Sequence, residues 1–80
     1  MFNLKNKSLY IFSDTYFGKD SNGMSIFDRV IGVVKRKRKQ TDYLQDIIAE
    51  SKKEIKNMEE FSLSEEEILL AILLAFVYTK

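Results

Sequence analysis

The stretch KRKRKQTD, residues 35–42, decides whether the middle of this chain is one helix or two. On both sides of it, apolar residues recur at alternating steps of three and four, and the register passes through Lys37 and Thr41 without a change of phase. Lysine, arginine and glutamine all favour helices. The pattern therefore predicts one long amphipathic helix over about residues 25–59, packed in the manner of a coiled coil.

The alternative is a break near residue 40. Cations suit the end of a first helix, and Thr41 or Asp42 suits the start of a second, because each complements the helix dipole. Ser25, with Asp28 three residues later, forms a capping-box-like start in either case. The residues alone leave the continuous and the broken helix open.

Residues 62–80 read SLSEEEILLAILLAFVYTK and predict a very apolar C-terminal helix over about 64–79. Ser62 or Ser64 can cap it, glutamates occupy its positive first turn, and residues 68–78 are apolar without interruption. Such a run rises only about 16 Å, roughly half of a bilayer core, so it does not predict a membrane span. A helix that is apolar on every side must be covered on every side, most simply by another copy of the chain.

The N-terminal residues 1–24 have a different composition. Short aromatic and β-branched runs (FNLK, LYIFS and TYF) alternate with the turn-like segments KNKS and GKDSNG. These features predict a short β-hairpin or an extended aromatic arm that packs on the helical part, residues 25–80. With 80 residues in total, the chain has room for a single domain, 1–80.

The composition excludes several kinds of chemistry. The sequence contains no cysteine and no histidine, so disulfides, thiolate or imidazole metal ligands and Ser-His-Asp or Cys-His catalytic sites are impossible. The loop GKDSNG also fails as a calcium-binding EF-hand, because Gly18 and Arg29 stand where that loop needs carboxylates. We therefore expect no cofactor, no metal and no enzymatic activity, and self-association is the remaining supplement for so small a core.

Charge and gene size suggest where the protein works. A formal net charge of +1 argues against a protein that coats DNA. The N-terminal residues lack the apolar segment and cleavage site of a secretory signal, so we expect a cytoplasmic protein. Its shortness and its wealth of Lys, Asn and Ile suit a small gene of an AT-rich bacterium, its phage or another mobile element.

Three groups of residues are candidates for binding: an apolar interface flanked by acidic residues, a basic run and an aromatic patch. Acidic residues that recur every four positions from Asp42 to Glu54 flank an apolar seam, which is typical of charges that set helix orientation in coiled coils. The predicted oligomer or partner interface comprises Leu44, Ile48, Ile55, Leu70, Leu73, Leu74 and Val77. The basic run that would contact phosphate or an acidic partner, unless it is simply a solvated helix end, comprises Lys35, Arg36, Lys37, Arg38 and Lys39. The candidate exposed aromatic patch comprises Tyr10, Phe12, Tyr16 and Phe17.

These observations favour a non-enzymatic, self-associating helical protein, a dimer or higher homo-oligomer, that binds a partner protein as an adaptor, assembly factor or inhibitor. One alternative is a nucleic-acid-binding dimer that uses residues 35–39 to grip phosphates. Another is membrane association of the C-terminal helix, although that helix lacks the charged face of an interfacial helix.

Overall fold

A computed structural model describes residues 4–80, with side chains from Asn6 onward. The four helices are α1 (Leu4–Phe17), α2 (Ile26–Arg38), α3 (Leu44–Lys56) and α4 (Glu65–Tyr78). No strand occurs within that described range. The prediction of a mainly α-helical chain is confirmed.

The predicted N-terminal hairpin or arm is wrong for the residues described, and its first three residues lie outside that range. The segment forms α1, and the supposed turn KNKS lies inside it. Helical spacing places Ser13 and Phe17 on the buried side, with the half-buried Tyr10 beside them. Burial of this side against α2 and α4 outweighs the β-propensity of the short aromatic runs.

The segment GKDSNG is a loop, as its turn chemistry predicts. Gly18 and Gly23 adopt φ values of 71° and 82°, which few other residues tolerate. The buried Asp20 carboxylate organises the loop, because Oδ1 accepts hydrogen bonds from the backbone N–H groups of Asn22 and Met24, both at 2.9 Å. Its other oxygen accepts from Arg29 of α2 at 2.8 Å, which fixes the loop to the core.

The loop leads directly into α2. As predicted, Ser25 caps this helix, and its hydroxyl accepts a hydrogen bond from the Asp28 N–H at 3.2 Å. The same hydroxyl donates to Asp14 of α1 at 2.6 Å. Ser25 therefore caps α2 and also contacts α1.

The continuous helix over 25–59 is also wrong, and the alternative break near residue 40 is what the structure shows. Helix α2 ends at Arg38 and α3 begins at Leu44. The N-cap of α3 is Tyr43, while Thr41 Oγ1 accepts a hydrogen bond from the Tyr43 N–H at 3.2 Å. The turn lets the apolar side of α3 fold back onto α2, and this burial outweighs the helix propensity of the cations.

Helices α2 and α4 each contact the other three helices. The fully buried large side chains of the core include Phe27, Val30, Val34, Ile47, Ile55 and Ile72. Two serines, Ser13 and Ser51, are also fully buried, and their hydroxyls have no hydrogen-bond partner among the described residues. These small side chains let the helices approach closely where a larger residue would not fit.

Candidate protein-interaction surface

Helix α4 has one buried and one exposed apolar side. Its start carries a complete capping box: Ser64 Oγ accepts from the Glu67 N–H, and the Glu67 carboxylate accepts from the Ser64 N–H. The inner side consists of Ile68, Ala71, Ile72 and Ala75, all at most 5% exposed. The outer side consists of Leu69, Leu70, Leu73 and Val77, which are 40%, 39%, 38% and 51% exposed. We call these four residues the α4 outer face.

The α4 outer face is exposed because the neighbouring helices do not surround α4. This helix was expected to need cover on every side, and its neighbours α1, α2 and α3 cover only one. Glu66 lies at the N-terminal end of the outer face and Lys80 beyond its C-terminal end, and both are exposed. The result is a short apolar stripe between two opposite charges.

The structure separates the predicted interface residues. Leu70, Leu73 and Val77 lie together on the α4 outer face, and Leu74 is half-buried at its edge. On α3, Leu44 is exposed, Ile48 is half-buried and Ile55 is 1% exposed within the core. Ile55 is therefore a packing residue of the single chain. Leu69 was not among the predicted interface residues, although its spacing of four residues from Leu73 places it on the same face.

The basic run divides between internal contacts and solvent. Arg36 Nη2 lies 2.5 Å from the Glu54 carboxylate of α3, and Lys37 Nζ lies 3.1 Å from its other oxygen. The hydrogen bond from Arg36 lowers the pKa of Glu54, and the same bond raises the pKa of Arg36. Glu54 thus neutralises part of the run within the chain.

Arg38 contacts α4, whereas Arg36 and Lys37 contact α3. Its guanidinium donates to the backbone carbonyl of Phe76 at 3.0 Å and lies 4.3 Å from the centroid of the Phe76 ring. Because successive helical residues are about 100° apart, five consecutive cations cannot share one side of α2. Within the described residues, only Lys35 and Lys39 of the run are exposed without an ion pair.

The candidate aromatic patch is reduced to one exposed pair. Phe12 and Tyr16 are 57% and 51% exposed, and their rings stack with centroids 6.0 Å apart. Phe17 is buried. Tyr10 packs against rings of α2 and α4 and donates to Asp28 at 2.5 Å. That hydrogen bond is the main cause that raises the pKa of Tyr10 to about 12.

Lysines on α3 surround a shallow depression. Lys52, Lys53 and Lys56 line it together with Ala49 and Asn57. Glu65, at the start of α4, pairs with Lys56 at 2.9 Å and with Lys52 at 3.4 Å, and the Lys56 hydrogen bond lowers the pKa of Glu65. These ion pairs join α3 to the first turn of α4 and reduce the positive potential of the depression.

The described residues contain no cluster of three or more Asp, Glu, His or Cys side chains that could hold a metal ion. None of the four helices in residues 4–80 combines the length and the apolar composition that a membrane span requires. Searches of protein-family models, curated proteins and solved structures found no match to this chain.

Proposed function

We propose that this protein is a non-enzymatic helical module that self-associates and acts by binding a partner protein. The observation that carries the proposal is the α4 outer face, where four large apolar side chains on one helix are each more than a third exposed. Contiguous apolar surface between charged residues is typical of protein–protein contact sites. Association would also supplement the small core of an 80-residue chain.

The stacked pair Phe12 and Tyr16 supports a second contact, with the partner protein. Exposed aromatic side chains are enriched at interfaces, since they bury a large area with few rotatable bonds. The pair lies on α1 and is not part of the α4 outer face. An adaptor, an assembly factor or an inhibitor would each use such a surface.

The internal contacts of Arg36, Lys37 and Arg38 favour protein binding over the nucleic-acid alternative. A phosphate-binding segment needs cations that are free to contact a ligand, and three of the five already contact α3 or α4, although the Arg36 side chain stays 57% exposed. The membrane alternative would use the α4 outer face itself. Co-sedimentation of the protein with anionic vesicles would support that alternative.

Size-exclusion chromatography with light scattering, at low salt and with absorbance at 260 and 280 nm, tests the proposal. We expect a mass of at least twice the 9.4 kDa of one chain, with an absorbance ratio typical of protein. Leu70→Asp should give a folded single chain, because the new carboxylate would be desolvated in the association.

Tyr43→Asp is the matched control, since it adds the same charge at an exposed apolar position outside α4. It should leave the mass unchanged. A wild-type protein that stays a single chain at every concentration would contradict self-association. A 260 nm excess that salt removes would instead support the nucleic-acid alternative.

A further inference from the structure

We propose that the α4 outer face binds the same face of a second copy, antiparallel, with the two-fold axis beside Leu73. This inference rests on the proposed self-association and adds its geometry. In a two-fold antiparallel pair of helices, a residue before the axis on one copy faces the residue equally far after it on the other.

The sequence of α4 is self-complementary about Leu73. Leu69 and Val77 lie four residues before and after it, so each would face the other across the axis. Glu66 and Lys80 lie seven residues before and after it, so two Glu66–Lys80 pairs would flank the apolar contact. Leu73 would face Leu73 of the second copy.

The charges favour the antiparallel orientation. Glu66 and Lys80 are exposed, and neither forms an ion pair among the described residues. An antiparallel pair also brings opposite ends of the two helix dipoles together. A parallel pair would place Glu66 against Glu66 and Lys80 against Lys80, which like-charge repulsion disfavours.

The charges at the two ends also disfavour larger shifts of the two-fold axis along the helix. Moving the axis to a point between residues 71 and 72 would place Glu66 against Val77 of the other copy. Moving it to residue 75 would place Leu70 against Lys80. Each shift desolvates a charged group against an apolar one without a counter-ion. Centring on Leu73 keeps apolar against apolar and charge against opposite charge.

Cysteine cross-linking tests this geometry, because the natural sequence contains no cysteine. Packed helix axes lie about 8–10 Å apart and the Cα radius is about 2.3 Å, so facing Cα atoms lie within the reach of a disulfide. Leu73→Cys should form a covalent dimer under mild oxidation. Tyr43→Cys, exposed and outside α4, is the control that should remain largely a single chain.

Mixing two variants separates the antiparallel from the parallel arrangement. Leu69→Cys and Val77→Cys should each cross-link poorly alone, and their equimolar mixture should give the mixed disulfide. The opposite result, efficient cross-linking of each variant alone and little in the mixture, would overturn the antiparallel geometry. If light scattering then still shows a dimer, self-association stands and only the geometry is wrong.

A second test needs no cysteine and uses two exposed positions outside the core. Because Glu66 also lies in the first turn of α4, the stability of each variant is measured beside its association. At low salt, Glu66→Lys or Lys80→Glu alone should raise the dimer dissociation constant about 5- to 10-fold, because two ion pairs become repulsive contacts. The double variant Glu66→Lys/Lys80→Glu should restore wild-type association. Single reversals without effect, or a double variant as weak as the singles, would overturn the proposed pairing.

Discussion

The basic run of residues 35–39 and the apolar helix α4 differ from what their compositions suggest. A run of cations suggests contact with solvent, and an apolar helix suggests burial. Three of the five cations contact other parts of the chain, Glu54 on α3 and Phe76 on α4, while the Arg36 side chain stays 57% exposed. Four large apolar residues of α4 face outward. Composition shows which contacts a side chain can form. Only the packing of the helices shows whether other residues of the same chain already form those contacts. The α4 outer face is therefore the stronger functional candidate.

The largest predicted loss of stability distinguishes substitutions on the buried side of α4 from those on its outer face. Ile72→Ala should lower the free energy of unfolding by about 2–5 kcal/mol, because it leaves a cavity beneath a fully buried position. Leu73→Ala should lower the stability of the isolated chain by under about 1 kcal/mol, since that side chain is already partly hydrated. Urea denaturation of both variants, at concentrations where light scattering shows a single chain, measures the contrast without a contribution from association. Equal losses would mean that the outer face is not a separate surface.

A smaller effect should appear where the basic run meets α4. Arg38→Ala should cost about 1–3 kcal/mol, since it removes a charged hydrogen bond to the Phe76 carbonyl and a cation–π contact with the same ring. Lys39→Ala, one residue later and exposed, is the control and should change stability little. The same urea series compares them. Similar losses of stability in the two variants would show that the Arg38 contacts with α4 do not stabilise the fold.

Acid should weaken the contact between the basic run and α3. The pKa of Glu54 lies below its usual value, so its ion pairs stabilise the fold above about pH 4.5 and are lost as the pH falls through the folded-state pKa. Glu54→Gln should lower stability by about 1 kcal/mol at pH 7 and reduce the loss seen on acidification.

Glu50→Gln, an exposed change on the same helix, is the control for Glu54→Gln. Thermal unfolding between pH 7 and pH 3 follows both variants and the wild type. A pH profile for Glu54→Gln that matches the wild type would show that Glu54 does not hold the cations.

The smallest effect should come from the solvated part of the run. The double change Lys35→Gln/Lys39→Gln should alter stability by less than about 0.5 kcal/mol, because neither side chain forms an ion pair within the described residues. The measurement is urea unfolding, together with the salt dependence of binding to a DNA duplex. A large drop in DNA affinity would restore the nucleic-acid hypothesis.

Helical content and local capping could be read from the residues. Ser25 caps α2 as its spacing from Asp28 predicts, and GKDSNG is a loop because its glycines tolerate positive φ. The continuous helix could not be excluded, since residues 35–42 favour a helix locally and the energy that breaks it comes from packing α3 on α2. The α1 helix was missed for the same reason. Its burial on α2 and α4 depends on contacts far along the chain.

The α4 outer face was predicted only in part. Leu70, Leu73 and Val77 were identified from hydrophobicity, and so was Ile55, which the fold buries. A sequence pattern shows which residues share a side of a helix. It does not show whether that side meets a neighbour of the same chain, and this requires the arrangement of all four helices.

The hydrogen bond of Tyr10 gives the molecule an intrinsic spectroscopic probe. The chain has no tryptophan, so its near-ultraviolet absorbance comes from tyrosine and phenylalanine. While α1 is docked, the hydrogen bond to Asp28 raises the pKa of Tyr10 to about 12, and detachment would lower that pKa toward its ordinary value. Four tyrosines contribute to the phenolate absorbance, so the wild type is compared with Tyr10→Phe in a stopped-flow jump to a pH between the ordinary and the raised pKa of Tyr10. The difference between the two traces would report how often the N-terminal helix leaves the body of the protein. No label or introduced chromophore would be needed.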